Sequence, residues 1–253
     1  MTIKLSKSRN LKLTLSYDGS AYVGWQLQKT GISIQQKVEE ILKKIHGTRV
    51  VVHGASRTDC GVHALAMVAS FQWSKDALGP ASLLRAFNAL LPDDIRVIRI
   101  QRAKSSFHAR FSAKTKLYRY RILNRSVADP FRRHFVWHLY KSLNLHAMKR
   151  AASFFVGKKN CSSIAVNPGY ERTTMVRHIY RCQVLQRGDE IHIEVEGDGF
   201  LYKMVRTMVG TLVEVGNGKR SPESVEELLK ARDRSLAGVT APAHGLYLVK
   251  VKY

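Results

Sequence analysis

The sequence predicts an α+β protein of two similar halves, each built on largely antiparallel sheet flanked by helices, with a basic cleft between them. Three observations support this class. Strand-like alternation and helix-like periodicity are intermixed along the chain. Glycine-containing turns such as Gly188-Asp189 join successive strands as hairpins. The second half repeats the rhythm of the first, so we place the boundary near residue 105, which gives halves at 1–105 and 106–253.

The first half opens with a strand and a capped helix. Leu11 to Tyr17 alternates apolar and polar residues. Ser33, with Gln36 three residues later, forms a capping box before an apolar stripe that ends ahead of Gly47. The remaining predicted elements of this half are strands over Arg49 to Val52, Ala66 to Trp73 and Ile95 to Ile100 and a helix over Pro80 to Leu90.

The second half is predicted in the same way. Alternation indicates the strands, apolar stripes indicate the helices, and Gly157 and Gly216 end two of them. Ser221-Pro222 starts a further helix that carries Glu223, Glu226 and Glu227. The predicted strands are Lys114 to Leu123, Arg181 to Leu185, Ile191 to Val195 and Leu246 to Tyr253, and the helices are Leu145 to Val156 and Phe200 to Val215.

The composition favours a polyanionic partner in a reducing compartment. Forty-two Lys and Arg against nineteen Asp and Glu give a formal net charge of +23. Three scattered cysteines are too few for a disulfide framework. The start of the chain lacks the apolar run of a signal peptide, and no stretch approaches the roughly 20 apolar residues of a membrane span. We therefore expect a cytoplasmic protein with no membrane association.

The excess charge is concentrated between Arg99 and Arg150. This stretch holds fourteen Lys or Arg and one acid, Asp129, interleaved with aromatic residues. Cations that meet phosphates, mixed with rings that stack on bases, are typical of nucleic-acid surfaces. A solvated basic face over ordinary core aromatics gives the same pattern, so the stretch alone does not decide between these two interpretations.

One segment, Gly54 to His63, holds a solitary carboxylate. Asp59 is the only acid between Glu40 and Asp76, and it lies among glycines, small residues and the basic Arg57. Tightly turned backbone is a common way to present a reactive side chain, and Arg57 would favour the charged carboxylate. The alternative is an ordinary turn, since Ser, Thr, Asp and Gly are frequent there. Cys60 is the weaker candidate for a nucleophile.

The Asp59 segment closely resembles the Arg-Thr-Asp-x-Gly-Val-His-Ala signature of the tRNA pseudouridine synthase A (TruA) family, in which this Asp is the catalytic residue. The other family motifs follow in order over essentially the whole chain. The chain departs from the family at Asn160 to Ile164, where an Asp-Phe-x-x-Phe pattern is usual, which affects local substrate contacts. The matching motifs are Tyr17 to Gln26, Phe107 to Ala113 continuing to Tyr118-Arg119-Tyr120, Phe200 to Gly210, and Ala241 to Leu248.

The resemblance implies an isomerase that converts uridine to pseudouridine in the anticodon stem-loop of tRNA, at positions 38, 39 and 40. It implies no nucleotide cofactor and no metal, and a homodimer. Because the target nucleotide lies in a stacked stem, it must leave the stack. Asp59 would attack C1′, add to C6, or abstract the 2′ proton to give a glycal, and the sequence leaves these routes open.

The resemblance also implies partners for Asp59. Tyr118 would stack under the extruded uracil and could assist loss of the C5 proton. Arg206, on one helix face with Tyr202 and Val209, would pair with Asp59. Arg57 would hold the flipped nucleotide's phosphate or the loop, and Leu246 would line the uracil pocket. His63 and His108 lack metal-ligand spacing, and we expect them to form structural hydrogen bonds.

Two other functions compete with this interpretation. An RNA-binding module without catalysis would explain the charge and the basic aromatic stretch. A nucleosidase or glycosidase would also use a carboxylate, but such enzymes usually need a second one, and the motifs offer none near Asp59 in sequence.

Overall fold

The computed structural model describes residues 9–74, 78–167, 169 and 174–253. Residues 1–8, where a signal peptide would begin, lie outside this description. The chain divides into two compact units. The first comprises the described residues up to Lys114 together with Leu248–Tyr253, and the second is Thr115–Tyr247. None of the described helices has the length and apolar character needed to cross a membrane.

The described residues of the first unit combine a β-sheet with two α-helices. Its sheet has the order β4-β1-β3-β10, with β2 paired to β3, and β1 runs antiparallel to both β3 and β4. Alternate β1 side chains, Leu11, Leu13 and Leu15, are buried and form part of the core. The elements are β1 (Arg9–Tyr17), α1 (Ile34–His46), β2 (His53–Gly54), β3 (His63–Trp73), α2 (Pro80–Leu90), β4 (Ile95–Arg102) and, from Leu248, β10 (Leu246–Lys252).

The second unit is also α+β. Its strands follow the order β5-β9-β8-β7 in antiparallel pairs, and β6 pairs with β5 in parallel. The sixth strand and the seventh were not predicted. Helix α4 is buried along almost its whole length. The elements are β5 (Thr115–Asn124), β6 (Trp137–Leu139), α3 (Leu145–Ser153), β7 (Gly157–Asn160), β8 (Val176–Arg187), β9 (Glu190–Gly197), α4 (Met204–Gly216) and α5 (Ser224–Ala231).

The start of α1 forms as its sequence predicts, with one difference. The Ser33 side chain accepts a hydrogen bond from the Gln36 backbone N–H. The Gln36 side chain donates to Glu40 Oε1, so it does not complete the reciprocal half of a capping box. Gly47 ends the helix in the left-handed conformation, at φ 87°.

The predicted strand over Arg49 to Val52 is wrong, because helix side chains satisfy that backbone. The Val52 N–H donates to Glu39 Oε1 at 3.1 Å, and the Val52 carbonyl accepts from Gln35 Nε2 at 3.1 Å. With these bonds made, the extended segment needs no strand partner. Pairing begins only at His53–Gly54, opposite Ser70 and Ala69 of β3.

The unit boundary falls after Lys114, while the sequence placed it near residue 105. Side chains from strands of the first unit form hydrogen bonds with the backbone of the segment between these two positions. Asn10 donates to the carbonyls of Lys104 and Phe107 at 2.9 and 2.7 Å. The Ala109 N–H donates to Ser70 Oγ at 3.1 Å. These bonds fix the Phe107 to Ala113 motif on the first unit.

Candidate active site

The Asp59 loop, residues 55–62, connects β2 to β3, as the sequence predicts. Asp59 is half-buried in it, while Arg57 and Cys60 are exposed. The Val62 N–H donates to the Asp59 carbonyl at 3.2 Å and closes a turn. Gly61 supplies the positive φ of that turn, 75°. The carboxylate therefore lies at the start of a tight turn.

The loop is held through its backbone and the Thr58 hydroxyl by segment 17–26. The Trp25 N–H donates to the Thr58 carbonyl at 3.1 Å, and the Gly61 N–H donates to the Tyr22 carbonyl at 3.4 Å. Buried beneath them, the Thr58 hydroxyl lies 2.8 Å from the Tyr17 hydroxyl. Two motifs that are far apart in sequence are thus bonded directly to each other.

Gly24 allows a close approach between the two segments at Thr58 and Asp59. A Cβ at this position would lie 2.5 Å from the Thr58 carbonyl oxygen and 3.0 Å from the Asp59 carbonyl carbon. Its φ of 105° is also one that L side chains rarely adopt. Any larger residue would therefore push the Asp59 backbone away, so Gly24 is a positioning residue for the carboxylate.

His63 supports the same assembly from below. It is buried, and its Nδ1 lies 3.1 Å from both the Gly19 N–H nitrogen and Asp18 Oδ1. A neutral ring accepts from Gly19, and a protonated ring donates to Asp18. This is the structural hydrogen bonding expected of His63. Within the described part of the chain, no group of three or more His, Cys, Asp or Glu side chains could hold a metal ion.

In the second unit, Tyr118 lies on β5 opposite Val195 of β9. Its ring meets the Phe200 ring edge to face at 5.2 Å, and the residue is only 6% exposed. The Tyr118 and Phe200 motifs are therefore in contact. Little of the Tyr118 side chain is open to solvent.

Arg206 lies in the first turns of α4 and fixes the Ala241 motif. Its Nε donates to the Ala241 carbonyl at 2.7 Å, and the Ala241 N–H donates to the Arg206 carbonyl at 3.1 Å. Tyr120 donates to the Pro242 carbonyl at 2.8 Å, and Gly245 lies so close to its ring that a Cβ would come within 2.6 Å. These contacts set the start of β10, where the buried Leu246 stands.

The predicted placement of Tyr202 on one helix face with Arg206 is wrong. Helix α4 begins at Met204, and Lys203 before it has a left-handed φ of 56°. Tyr202 therefore lies outside the helix, so its separation of four residues from Arg206 does not place the two side chains on one helix face. Arg206 and Val209 remain on one helix, three residues apart.

The basic stretch from Arg99 to Arg150 is not one uniform cationic surface. Several of its arginines bind carboxylates within the second unit, which removes them as free cations: Arg119 to Glu194, Arg121 to Glu190, and Arg125 and Arg132 to Asp129 and Asp189. Other cations of the stretch are exposed: Arg99, Arg102, Lys104, Arg110, Lys114, Arg133, Lys141 and Lys149.

The departure at Asn160 to Ile164 forms a compact local structure. The Asn160 Oδ1 accepts from the Ser162 N–H and hydroxyl at 3.0 and 2.6 Å, which turns the chain after β7. Cys161 and Ile164 are buried. These residues therefore serve packing here.

Sequence reasoning missed the role of Gly24 and Trp25 as supports of the Asp59 loop. The signal was present, since both lie in the first motif. It also missed a ring contact between His53 and His108, which are 55 positions apart in the chain and whose centroids lie 4.9 Å apart. No local sequence pattern predicts a contact between residues so far apart in the chain.

Two comparisons with known proteins give matches over most of the chain. A family model described as tRNA pseudouridine synthase matches residues 14–112 and 151–253. The chain is 44% identical over 245 residues to tRNA pseudouridine synthase A of Thermoanaerobacter sp. (strain X514), covering 97% of this chain and 100% of the relative. The protein of the same name from Geotalea uraniireducens (strain Rf4) is 45% identical over 249 residues, with 97% and 100% covered.

A third relative, tRNA pseudouridine synthase A of Exiguobacterium sp. (strain ATCC BAA-1283 / AT1b), is 44% identical over 246 residues, covering 97% of this chain and 98% of the relative. The family model leaves out residues 113–150, where Tyr118 and most of the paired arginines lie, but these relatives align over almost the whole chain.

Proposed function

This chain belongs to the tRNA pseudouridine synthase family, and on that premise we propose that it modifies uridines 38, 39 and 40 in the anticodon stem-loop of tRNA. As a member of the family it is an enzyme, an isomerase that converts uridine in tRNA to pseudouridine. The observation that supports the assignment within this chain is the Asp59 loop, in which a half-buried carboxylate is held in a turn by segment 17–26.

The reaction balances without any added group. The bond from N1 to C1′ breaks, the uracil turns, a bond forms from C5 to C1′, the C5 proton leaves, and N1 carries a proton in the product. No atom or electron pair is gained, so the chemistry requires neither a redox cofactor nor an activated donor. Asp59 starts it in its ionised form, by attack at C1′, by addition to C6, or by removal of the 2′ proton to give a glycal.

The other site residues take supporting roles in this proposal. Tyr118 stacks on the extruded uracil and can assist loss of the C5 proton. Arg206 pairs with Asp59 and keeps it ionised, since a nearby cation favours the charged carboxylate. Arg57, exposed beside Asp59 in the loop, holds the phosphate of the flipped nucleotide or the loop itself. Leu246 lines the uracil pocket.

Substrate recognition in this proposal depends on the charge of the chain. A formal charge of +23 supports a broad contact with tRNA phosphates. We further propose that the protein acts in the cytoplasm as a homodimer. Analytical ultracentrifugation tests the dimer directly: a species of twice the chain mass at micromolar concentration supports it, and a species of one chain mass contradicts it.

Position mapping tests the target. Purified protein is incubated without added cofactor with tRNA transcripts that carry uridine at position 38, 39 or 40, and with matched transcripts in which that uridine is cytidine. We expect pseudouridine at the uridine and none in the cytidine control. Modification confined to other positions contradicts the proposed target. Release of free uracil would favour a hydrolase, and binding without modification would favour an RNA-binding module.

A further inference from the structure

A second candidate site lies in the first unit, on residues other than those of the Asp59 loop. A cavity of about 460 Å³ opens beside β2 and the segment before His108. This volume falls in the usual range of ligand sites, roughly 300–1,000 Å³. Its described lining includes His46, His53, His108 and Arg49, with polar Gln72 and several serines, and no carboxylate.

Three rings form a continuous stack at the edge of this cavity, which we call the ring platform. His53 and His108 have centroids 4.9 Å apart with planes inclined by 35°. His108 and Phe111 have centroids 4.4 Å apart with planes inclined by 31°. Both contacts are tilted, with centroid separations in the range at which aromatic rings interact favourably. Phe111 is 77% exposed, so one end of the stack is open.

The middle ring is held in a fixed orientation. The backbone N–H groups of Arg110 and Phe111 donate to His108 Nδ1 at 3.1 and 3.3 Å. Nδ1 is therefore an acceptor, and Nε2 carries the proton of the neutral ring. Burial lowers the pKa of His108, and the nearby His53 and Arg110 lower it further. The ring is thus a neutral stacking surface at physiological pH.

Two arginines accompany the ring platform and its cavity. The Arg110 guanidinium carbon is 5.6 Å from the Phe111 ring centroid, and Arg110 is exposed. Arg49 lines the cavity with 65% of its side chain exposed, although it also contacts Glu39 at 3.5 Å. An exposed aromatic ring with one guanidinium over it, and a second guanidinium at the cavity, suits a base and its phosphates better than an apolar or cationic ligand.

The position of the ring platform relative to Asp59 is limited by the chain. His53 is six residues before Asp59, so their Cα atoms are at most about 21 Å apart. One strand of stacked nucleic acid rises about 3.4 Å per nucleotide. The His53 end of the ring platform therefore lies within about six stacked nucleotides of a target at Asp59, and Phe111 lies two ring contacts beyond it.

We propose that the ring platform and its cavity bind one unpaired nucleotide of the tRNA outside the target uridine, with the base stacked on Phe111 and the phosphates beside Arg49 and Arg110. This rests on the proposed function, since it takes tRNA as the substrate. It assigns the Phe107 to Ala113 motif a binding role that is separate from the chemistry at Asp59.

The test compares tRNA dissociation constants for the unaltered protein, Phe111→Ala and Phe111→Trp. Loss of one stacked base weakens binding by about 5-fold to 150-fold, so we expect that loss for Phe111→Ala. The tryptophan variant should retain affinity, because it keeps a stacking face. The loss of affinity in Phe111→Ala should also raise the enzyme concentration needed for half-maximal single-turnover pseudouridine formation, and Phe111→Trp should restore both quantities.

A matched control is Phe131→Ala, which removes another highly exposed phenylalanine, 89% exposed, from the second unit. It should change affinity by no more than about twofold. A second variant, Arg110→Ala, should lower the slope of log affinity against log salt by about one if Arg110 contacts a phosphate. Thermal unfolding confirms that each exposed substitution leaves the fold intact.

The outcomes separate this proposal from the proposed function. If the unaltered protein forms pseudouridine but Phe111→Ala binds tRNA normally, or Phe131→Ala weakens binding equally, the ring platform proposal is wrong and the function stands. If Phe111→Ala weakens binding to a protein that modifies no tRNA, the ring platform stands and the proposed function is wrong. Weakened binding by Phe111→Ala alone, with modification intact, supports both.

Discussion

Two loops of this protein are fixed in opposite ways. The Asp59 loop is held by backbone hydrogen bonds and by the close approach of Gly24. The second loop, residues 125–136, which we call the arginine loop, is held by ion pairs that join Arg125 and Arg132 to Asp129 and Asp189. Both hold a residue at a turn, Asp59 in one and the exposed Phe131 in the other.

The two loops differ in the groups that form their anchoring bonds. In the arginine loop the carboxylates are the anchors, and hydrogen bonds from Arg132 lower the pKa values of Asp129 and Asp189. In the Asp59 loop the bonds to segment 17–26 run through backbone groups and the Thr58 hydroxyl. Backbone groups and one hydroxyl therefore bond the Asp59 loop to its neighbouring segment, whereas carboxylates bond the arginine loop.

The largest expected effect is at Gly24. Gly24→Ala places a methyl group 2.5 Å from the Thr58 carbonyl oxygen and should displace the Asp59 backbone. Since a misplacement of about 1 Å can cost 10²-fold in rate, we expect pseudouridine formation to fall at least about 100-fold. Single-turnover kinetics on tRNA measure this effect.

Gly47→Ala is the matched control for Gly24→Ala. Gly47 also has a positive φ, 87°, but a Cβ there would meet nothing within 4 Å. It should cost about 1 kcal/mol of stability and leave the rate of the folded enzyme unchanged. Equal rates for the two variants would show that the close approach at Gly24 does not position Asp59.

The next effect concerns Glu190, which binds Arg121 and Arg132 beside the arginine loop. Glu190→Gln should lower the free energy of unfolding by about 1–3 kcal/mol, the lower end being favoured because both arginines are partly exposed. The rate of the folded enzyme should not change. Glu226→Gln, which breaks the exposed pair with Lys230, is the control and should cost less than about 1 kcal/mol.

Acid should destabilise the anchors of the arginine loop. Burial disfavours the charged form of Glu190, but hydrogen bonds from Arg121 and His192 outweigh it and lower its pKa to about 2. A carboxylate with a lowered folded pKa stabilises the protein above its unfolded pKa of about 4.3 and loses that stabilisation as pH falls towards 2. Denaturant unfolding between pH 6 and pH 3 should show this decline, and Glu190→Gln should flatten it. If the free energy of unfolding declined equally with pH in the unaltered protein and in Glu190→Gln, Glu190 would not be the source of the decline.

Salt should produce the smallest effect. Raising ionic strength from 0.1 to 1 M shortens the screening length from about 10 to 3 Å and weakens partly exposed ion pairs. Amide hydrogen exchange at Phe135 and Val136, whose N–H groups donate to the Arg132 carbonyl, should accelerate more than exchange at Val62. Equal acceleration would mean that the two loops are not fixed differently.

The sequence predicted those parts of the molecule that depend on local chemistry. Ser33 capped its helix, Gly188-Asp189 closed its hairpin, and the Asp59 segment connected two strands. The prediction failed where side chains distant in sequence make the hydrogen bonds that a neighbouring strand would otherwise make. The Arg49 to Val52 strand is absent because Gln35 and Glu39 satisfy the Val52 backbone.

The candidate site shows the same division. Glycines and a solitary acid marked the Asp59 loop, because tight turns leave a local signature. The partners of the basic stretch could not be predicted, since Arg119 and Arg121 pair with Glu194 and Glu190, about 70 positions away. The ring platform joins His53 to a motif more than fifty positions later, which is a contact that only the folded chain creates.

The most direct test of the central claim replaces the Asp59 carboxylate itself. Asp59→Asn and Asp59→Ala are compared with the unaltered protein for single-turnover pseudouridine formation, tRNA affinity and thermal unfolding. Because backbone groups and the Thr58 hydroxyl bond the loop to segment 17–26, we predict folded proteins that bind tRNA with little change and form no pseudouridine. Modification by either variant at the rate of the unaltered protein would contradict the account.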